Sequence, residues 1–255
     1  MLIILNNYYG KKKRKEKKVS PVGKPFVSVC TPTYNRRPFI PNLIRCFKSQ
    51  TYPKHLMEWI IIDDGEDSVE DLFKDVECVK YFRYDKKIKL GRKRNLMHEK
   101  SKGEMIVYMD DDDFYPPERV NHAVKRLMGH PQALAVGSSI VYIYFNDLDK
   151  IYQFGPYGAT HATAGTFAFK RKLLKQTSYD DNAEMAEEKK FLKNYTIPLV
   201  QLDPIKSILC FAHQYNTFDK RKLLVNPNPK FVRETNLKPS IFIKDKNMLK
   251  FYATV

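Results

Sequence analysis

The sequence predicts an α/β protein with a mostly parallel sheet, helices on both faces of that sheet and a small antiparallel element. Short apolar runs alternate with amphipathic segments over residues 26–109, which is the pattern of βαβ units. The runs are apolar throughout, as buried parallel strands are. Polar clusters follow the runs directly, and in open α/β sheets ligands bind beyond the carboxyl ends of the strands.

The first half of the chain contains four predicted strands. They are the runs Phe26–Cys30, Trp59–Ile62, Val79–Tyr84 and Met105–Met109. A helix is predicted over Phe39–Phe47, because apolar residues recur there at three- and four-residue spacing. A second helix is predicted over Gly91–Lys100, with Gly103 suited to its end. The capping-box pattern at Ser68 and Asp71 predicts a short helix in the connection between these two helices.

The second half has shorter and more mixed elements. An amphipathic helix is predicted over Val120–Leu127. The runs Ile140–Phe145 and Ile151–Phe154 flank a polar tetrapeptide, which predicts an antiparallel hairpin. The stretch 226–238 is rich in Pro, Asn and Lys and predicts a loop or tail. The remaining predicted elements are strands at Ala133–Val136, Thr166–Phe169, Leu199–Leu202 and Ile208–Ala212, and a helix at Ala183–Lys193.

The formal net charge of +16 is concentrated at the two ends of the chain. Residues 1–24 carry eight Lys or Arg and one Glu, and residues 219–255 carry nine Lys or Arg and three acidic residues. We expect 1–24 to be a disordered basic arm, because like charges repel and the basic run contains no apolar residue. The sequence thus predicts one domain at 25–218 and a basic C-terminal tail at 219–255.

Several classes of protein are excluded or disfavoured by absent patterns. No run of 18 apolar residues occurs, and the apolar N-terminal segment 2–5 is too short for a signal peptide. The sequence therefore predicts a soluble, cytoplasmic protein without a transmembrane segment. The four cysteines form no CxxC pair, which predicts reduced thiols rather than a zinc site or disulfides. Neither a dinucleotide fingerprint nor a P-loop spelling is present.

Four consecutive aspartates, Asp110–Asp113, follow the strand predicted at Met105–Met109. Adjacent carboxylates repel one another strongly in a low-dielectric site unless a cation neutralises them. Hard divalent ions prefer oxygen ligands. The cluster therefore predicts a Mn²⁺ or Mg²⁺ site, with carboxylates on one side of the metal and the oxygens of a diphosphate on the other. A solvated acidic loop is the alternative interpretation.

Four segments resemble, in order, the nucleotide-binding half of GT-A glycosyltransferases, especially the large inverting family 2: "VSVCTPTYNRRPFI", "WIIIDDGEDS", "LGRKRN" and "GEMIVYMDDDDFYPPE". The resemblance covers about residues 26–120 and, more loosely, 160–215. It implies a Rossmann-like GT-A domain with a nucleotide-binding half at 25–120 and an acceptor half at 121–218. The Lys-, Asn- and Tyr-rich, Gly-poor composition is similar to that of glycosyltransferases of large DNA viruses, which would place the protein in the host cytoplasm.

The resemblance also implies a function. The protein would be a metal-dependent, inverting glycosyltransferase that moves a sugar from a nucleotide-diphosphate sugar, most simply a UDP-sugar, to a hydroxyl of a glycan or protein-linked sugar. The residues implied for the nucleotide follow the first strands in order. Pro32, Thr33 and Tyr34 would border the base and ribose, Asp63 and Asp64 would hold the base, and Arg94 would lie near the diphosphate or base.

The Asp-x-Asp signature of the family corresponds to Asp110–Asp112. The resemblance implies that Asp110 faces the ribose or sugar and that Asp112 ligates the metal, with Asp111 between them in the nucleotide-sugar site. Because four aspartates are consecutive, a register shifted by one keeps Asp113 open. His213 stands at about the place of a late histidine that ligates the metal in some GT-A enzymes, so that Asp112, Asp110 and His213 are the metal candidates. A purely structural role is the alternative for His213.

An inverting transfer needs a general base from a segment other than the metal cluster. In the helix predicted at Ala183–Lys193, Glu184 and Glu188 fall on the same arc as the apolar residues, and burial there raises a carboxyl pKa towards the useful range. The resembled family places an acidic pair at the start of such a helix. That pair corresponds to Glu187 and Glu188 and implies Glu188 as the base, with Glu187 still open. A salt-bridged surface helix is the alternative.

The segment "GATHATAG" supplies candidates for the acceptor site. His161 and Thr163 would line it, and Gly158 and Gly165 would allow the backbone to approach a sugar. Two other functions stay open. A sugar nucleotidyltransferase would carry a Gly-rich loop after its first strand, and "TPTYNRR" has no glycine. A nucleic-acid-binding protein acting through the basic ends would show a steep salt dependence of binding.

Overall fold

The computed structural model describes residues 23–184 and 187–255. The basic arm predicted at 1–24 lies almost wholly outside the described residues, as do Met185 and Ala186 of the helix predicted at Ala183–Lys193. The strands are β1 Val27–Thr33, β2 Met57–Asp63, β3 Val79–Arg83, β4 Met105–Tyr108, β5 Ala135–Gly137, β6 Val141–Phe145, β7 Lys150–Phe154, β8 Ala168–Lys170, β9 Leu199–Gln201, β10 Leu209–Ala212 and β11 Val232–Glu234. The helices are α1 Ile40–Lys48, α2 Leu90–Lys100, α3 Arg119–Gly129, α4 Glu188–Phe191, α5 Pro239–Phe242 and α6 Lys246–Thr254.

The larger sheet has seven strands in the order β3-β2-β1-β4-β8-β5-β9. Every neighbouring pair is parallel except the two pairs made by β8. The prediction of an α/β fold on a mostly parallel sheet is therefore confirmed. Because β1 pairs with both β2 and β4, the carboxyl ends of these three strands are adjacent, and Thr33 lies opposite Asp63 in the register.

The smaller sheet has four strands in the order β10-β6-β7-β11. The predicted hairpin is present as β6 and β7, and its turn places Asp149 in the left-handed region (φ 47°). The element is not wholly antiparallel, since β10 runs parallel to β6. A bridge between Phe114 and Leu209 joins the start of β10 to the chain just after the four aspartates.

Residues 219–255 do not form the predicted tail. Strand β11 lies within the stretch predicted as a loop and pairs with β7. Met248 and Tyr252, four residues apart on α6, are buried in the core together with Phe242 and Ile243. The Tyr252 ring stacks on Phe211 with centroids 3.9 Å apart. The sequence prediction missed the amphipathic helix α6 because this segment is highly charged. The lysines of α6 are exposed, while its apolar face is buried.

The helix predicted at Ala183–Lys193 is shorter in the structure, because among the described residues of that segment the α-helix comprises the four residues of α4. The three residues Lys193, Asn194 and Tyr195 have φ of 49°, 54° and 62°. Residues in the left-handed region end a helix, and three in succession prevent its continuation.

The cysteines follow the prediction, since all four lie within the described residues and none forms a disulfide. Cys30 and Cys46 are buried, whereas Cys78 is exposed. Within the described ranges, no helix combines the length and the apolar character that crossing a bilayer needs.

Candidate active site at the strand ends

A first cleft of about 180 Å³ opens at the carboxyl ends of β1 and β4. Six residues predicted for the nucleotide sugar and metal line it, which are Pro32, Tyr34, Arg94, Asp110, Asp111 and Asp112. Thr33, which the resemblance also implied, lines it too. Sequence reasoning missed Arg36, Lys93 and Thr217, which complete the wall with Leu90. The signal for Arg36 and Lys93 was their positive charge next to motifs assigned to an anionic ligand.

Asp63 is buried and does not line the first cleft. Its carboxylate stabilises the loop that follows β2 through hydrogen bonds. One oxygen of its carboxylate accepts from the backbone N–H of Gly65 at 2.9 Å. The other accepts from the N–H of Val69 at 3.3 Å and from the hydroxyl of Tyr81. All of these partners come from the protein itself, so a nucleobase would have to share or displace them.

Asp64 is also buried, and its carboxylate pairs with the ammonium of Lys93 and accepts from the backbone N–H of Ile88. The same ammonium donates to the carbonyl oxygen of Thr33 at 3.2 Å. Asp64 therefore reaches the first cleft indirectly, because it fixes a lysine of the cleft wall to the end of β1. The ring of Tyr34 lies beside the same ammonium, 5.6 Å from it.

The four aspartates alternate in their surroundings. Asp110 and Asp112 are half-buried, whereas Asp111 and Asp113 are buried. Burial and the neighbouring Asp112 raise the pKa of Asp111 to about 8. Burial raises the pKa of Asp113 to about 7 against the charge of Lys220, and one oxygen of Asp113 accepts from the backbone N–H of Phe211 at 3.2 Å. The cluster thus lowers its internal repulsion by favouring the protonated form of two of its members.

Asp112 behaves in the opposite way. Burial opposes its ionisation, but hydrogen bonding to His213 and the charge of Lys220 outweigh burial, so the pKa of Asp112 lies below its usual value. Arg36 adds positive charge, since its Nε lies 3.7 Å from both Asp111 and Asp112. That Nε is buried without a hydrogen-bond partner among the described residues. The centre of the first cleft therefore holds an ionised carboxylate beside an unsatisfied guanidinium donor.

His213 lies against this carboxylate although the two residues are far apart in the sequence. Its Nε2 is 3.4 Å from Oδ2 of Asp112, and the side-chain nitrogen of Asn216 contacts both groups, at 2.9 and 3.3 Å. The imidazole is buried against the ring of Phe39 at 4.6 Å, and burial lowers its pKa. The structure thus holds His213 in its neutral form, which is the form that binds metals.

The pair fits a divalent ion. Nε2 of His213 and Oδ2 of Asp112 are 3.4 Å apart, so both would reach one ion placed between them. Over residues 23–184 and 187–255, no group of three or more His, Cys, Asp or Glu side chains is arranged to hold a metal. The protein therefore offers two ligands here, and the remaining positions would fall to oxygens of a bound diphosphate and to water.

Arg94 connects the four aspartates to the segment that contains the predicted general base. Its side chain is 3% exposed, its Nε donates to Oε1 of Glu187 at 2.8 Å, and its Nη1 donates to Oδ1 of Asp110 at 3.2 Å. Burial alone would lower the pKa of Arg94, but the two carboxylates raise it above its usual value. The guanidinium also lies 4.5 Å from the ring centroid of Tyr108. Glu187 is therefore held in an ion pair.

Glu188 begins α4, is half-buried and, like Glu187, does not line the first cleft. Burial and the adjacent Glu187 raise its pKa. The prediction that Glu184 shares an apolar arc with Glu188 is wrong, because the helix does not extend to Glu184. That side chain is exposed and lies 3.4 Å from the ammonium of Lys89.

A second cleft of about 370 Å³ adjoins the first, and Asp110, Asp112 and Thr217 line both. Its opposite wall comes from β6 and β7 of the smaller sheet. The predicted acceptor residues Thr163 and Gly165 line it. A Cβ built on Gly165 would stand 3.0 Å from Oδ2 of Asp110, so the glycine permits this close approach. His161 and Gly158 lie outside the second cleft.

The sequence of the chain is similar to those of known proteins. A protein-family model described as glycosyl transferase family 2 matches residues 28–192. The chain is 27% identical over 115 residues to the poly(ribitol-phosphate) beta-N-acetylglucosaminyltransferase TarS of Staphylococcus aureus, covering 40% of this chain and 19% of that protein. It is 27% identical over 135 residues to the putative teichuronic acid biosynthesis glycosyltransferase TuaG of Bacillus subtilis, covering 50% and 52%. The chain thus spans from about a fifth to about half of the length of these curated relatives.

Solved structures show the same fold. The structure of S. aureus TarS 1–349 in complex with UDP-GlcNAc superposes with a TM-score of 0.60 at 18% identity, covering 74% of this chain and 59% of that one. The mannosyltransferase PcManGT from Pyrobaculum calidifontis, in complex with GDP-Man and Mn²⁺, superposes with a TM-score of 0.60 at 16% identity, covering 90% and 69%.

Proposed function

The chain belongs to glycosyl transferase family 2, has the GT-A fold and is a glycosyltransferase, and from this premise we propose that it uses a UDP-sugar and a divalent metal. The sugar passes to a hydroxyl of a glycan, or of a protein-linked sugar, with inversion at the anomeric carbon. The observation that carries the proposal is the first cleft, where an ionised Asp112 next to neutral His213 faces the cationic side chains of Arg36, Lys93 and Arg94.

The cations of the first cleft suit a diphosphate. Arg36 has a buried Nε without a partner, and a phosphate oxygen would satisfy it. Lys93 is fixed by Asp64 and Thr33 and lines the same cleft. Of the structural neighbours, TarS binds UDP-GlcNAc and PcManGT binds GDP-Man. We take UDP as the nucleotide because TarS resembles the chain both in sequence and in fold.

Asp112 and His213 would hold Mn²⁺ or Mg²⁺, with Asp110 next to them. When bound, the metal supplies a counter-charge for the leaving diphosphate. Pro32 and Tyr34 at the end of β1 would border the nucleobase and ribose. Asp63 and Asp64 support this site by fixing the loop after β2 and the position of Lys93. PcManGT, a structural neighbour, carries Mn²⁺ together with its nucleotide sugar.

We assign the general base to Glu188. Burial raises its pKa towards the range in which a carboxylate accepts a proton from a hydroxyl. Glu187 is less suited, because its carboxylate is held by Arg94. In this scheme Glu188 takes the proton of the acceptor hydroxyl, while Arg94 and Glu187 position the start of α4 relative to Asp110.

Membership of the family decides between the interpretations that the sequence left open. A sugar nucleotidyltransferase would join a nucleoside triphosphate to a sugar phosphate, which is not the chemistry of a glycosyltransferase. The nucleic-acid-binding alternative relied on two basic ends, and one of them, 219–255, packs into the core.

A donor-hydrolysis screen tests the proposal. The protein is incubated with a panel of UDP-, GDP- and CMP-sugars, with and without Mn²⁺, and the release of nucleotide is measured. We expect slow cleavage of a UDP-sugar that requires the metal and is lost in Asp112→Ala. Asp85→Ala, in an exposed loop after β3, is the matched control and should retain cleavage. Cleavage at equal rates without metal, or in Asp112→Ala, would reject the metal role.

A further inference from the structure

A third cleft of about 510 Å³ lies next to the second, and Tyr157 lines both of them. Its other walls include Ser139 and Ile140 from the turn before β6, Gly158, and Phe231 and Lys230 from the segment before β11. Ligand sites commonly measure about 300–1,000 Å³, so each of the two joined clefts alone is large enough for a small ligand. Together they form a groove that begins at Asp110 and Asp112 and leaves along the smaller sheet.

Four aromatic rings contact one another in succession, and the first two of them, Phe231 and Tyr157, line the third cleft. The centroids of Phe231 and Tyr157 are 5.3 Å apart, those of Tyr157 and His161 are 4.9 Å apart, and those of His161 and Tyr195 are 4.8 Å apart. Three segments that are distant in the sequence therefore bring their aromatic side chains together beside the third cleft.

The groove is preformed. The side-chain amide of Gln201, in β9, donates to the carbonyl oxygens of Ala159 at 2.8 Å and His161 at 2.9 Å. Its oxygen accepts from the backbone N–H of Ser139 at 2.8 Å. Gln201 thus connects the segment that carries Tyr157 and His161 to Ser139 in another wall of the third cleft. Because these loops are already held in place, a ligand that binds there pays little entropy to order them, which favours affinity.

The chemistry of this groove suits a carbohydrate. Tyr157 has a large apolar ring, yet the residue is 43% exposed, and Ser139 and Lys230 line the same cleft. An aromatic ring offers an apolar face and, in tyrosine, a polar tip. A sugar ring presents C–H groups on one face and hydroxyls at its edge, so it can pack on such a ring and form hydrogen bonds at the rim.

We propose that the second and third clefts form one acceptor groove for an oligosaccharide of at least two sugar units. The sugar that receives the transferred unit occupies the second cleft beside Asp110 and Asp112, and the preceding sugar stacks on Tyr157 and Phe231 in the third. This inference rests on the proposed function, because it needs the first cleft to be the donor site. Its consequence is that the enzyme extends an existing glycan chain rather than starting one on a single sugar.

The test uses the full chain with the donor found in the hydrolysis screen and an array of mono- to hexasaccharides, neutral and acidic. Transfer to each sugar is measured for the wild type, Tyr157→Ala and Tyr157→Phe. We expect transfer to chains of two or more units, with monosaccharides at least tenfold poorer. Tyr157→Ala should raise the KM for chains at least tenfold and leave donor hydrolysis unchanged, whereas Tyr157→Phe, which keeps the ring, should resemble the wild type.

Three results would overturn the inference: monosaccharides accepted as well as chains, Tyr157→Ala indistinguishable from the wild type, or no glycan of the array extended. In each of these cases donor hydrolysis by the wild type would still support the proposed function. If no nucleotide sugar is hydrolysed and none binds, the proposed function itself fails. Donor hydrolysis by Tyr157→Ala also reports whether the variant folds, so a loss of transfer cannot be mistaken for unfolding.

Discussion

The seven-stranded and the four-stranded sheets place their site residues differently. In the larger sheet, Thr33 and Asp63 end β1 and β2, and Asp110 follows β4 by two residues. In the smaller sheet, the residues that line the clefts lie largely on connecting segments, such as Tyr157 after β7 and Thr217 after β10. The first arrangement depends on strand direction alone, whereas the second depends on how loops pack.

This difference corresponds to what each region binds in the proposed function. A nucleotide diphosphate is common to many donors, and regular strand ends present the same charged groups to it. Acceptors differ from one enzyme to another, and loops on a rigid scaffold can change without disturbing the core. The motifs by which the sequence resembles the family therefore lie in the parallel-sheet half, whereas the proposed acceptor groove is lined mostly by connecting segments.

The largest expected effect concerns Glu188, the first residue of α4 and the proposed base. Glu188→Gln should lower the rate of transfer about 10³-fold, because a positioned general base contributes about 10²–10⁴-fold. Binding of the donor should be unchanged, as measured by calorimetry with UDP and Mn²⁺. Glu184→Gln is the matched control, since Glu184 belongs to the same segment but is exposed. Full transfer by Glu188→Gln would remove it as the base.

The second prediction tests whether the C-terminal segment belongs to the smaller-sheet region. Tyr252→Ala should lower the free energy of unfolding by about 3–5 kcal/mol, the usual cost of removing a buried aromatic ring. The variant also loses the hydrogen bond from the Tyr252 hydroxyl to the carbonyl oxygen of Asp113. Urea denaturation measures the change, with the exposed Lys250→Ala as a control that should stay within about 0.5 kcal/mol. A loss below about 1 kcal/mol for Tyr252→Ala would mean that 219–255 is dispensable for folding.

The third prediction concerns the one proposed metal ligand that the smaller-sheet region supplies. His213→Ala should weaken Mn²⁺ binding at least about tenfold in the presence of UDP, because metal sites lose at least this much when a ligand or its support is removed. Titration followed by Mn²⁺ electron paramagnetic resonance gives the affinity. His130→Ala, at an exposed imidazole, serves as the control. Unchanged affinity in His213→Ala would restrict the histidine to a structural role.

The smallest effect is a pH dependence of stability in the core of the parallel-sheet half. Burial, with the charges of Arg94 and Arg171, lowers the pKa of His98 to about 3, and its Nε2 lies 2.6 Å from the hydroxyl of Tyr108. In the unfolded chain His98 takes up a proton as the pH falls below about 6.5, while the folded protein keeps it neutral. His98 should therefore reduce the stability by up to about 1.4 kcal/mol per pH unit between pH 6 and pH 4.

Denaturation of the wild type and His98→Gln at pH 7, 6, 5 and 4 isolates this contribution. The variant keeps a polar partner for Tyr108 but cannot be protonated, so its stability should fall less steeply with decreasing pH than that of the wild type. The buried Asp111 and Asp113 act in the opposite direction because their pKa values are raised, and they are common to both proteins. Parallel pH profiles would show that His98 takes up its proton in the folded state as well.

The positions of the first four strands along the chain, and the polar residues that follow them, could be predicted from the sequence. Each of the first four apolar runs became a strand, and the hairpin of β6 and β7 formed at its polar tetrapeptide. These patterns are local, because burial on both faces of a parallel strand requires a continuous apolar run. Pro32 and Asp110 converge on one cleft because parallel strands end at the same edge, and the helix that follows β3 brings Arg94 to the same cleft.

Only the tertiary structure decided which distant groups touch. Nothing in the local sequence indicates that Arg94 bridges Asp110 and Glu187, that Asp64 is bound by Lys93, or that α6 fills the core behind Asp113. Periodicity reports burial and direction along one segment, whereas contacts between segments depend on the packing of the whole core. The sequence thus determined the parallel sheet and the edge at which charged residues lie. The tertiary structure decided which of these charged side chains are paired within the protein and which remain available to a ligand.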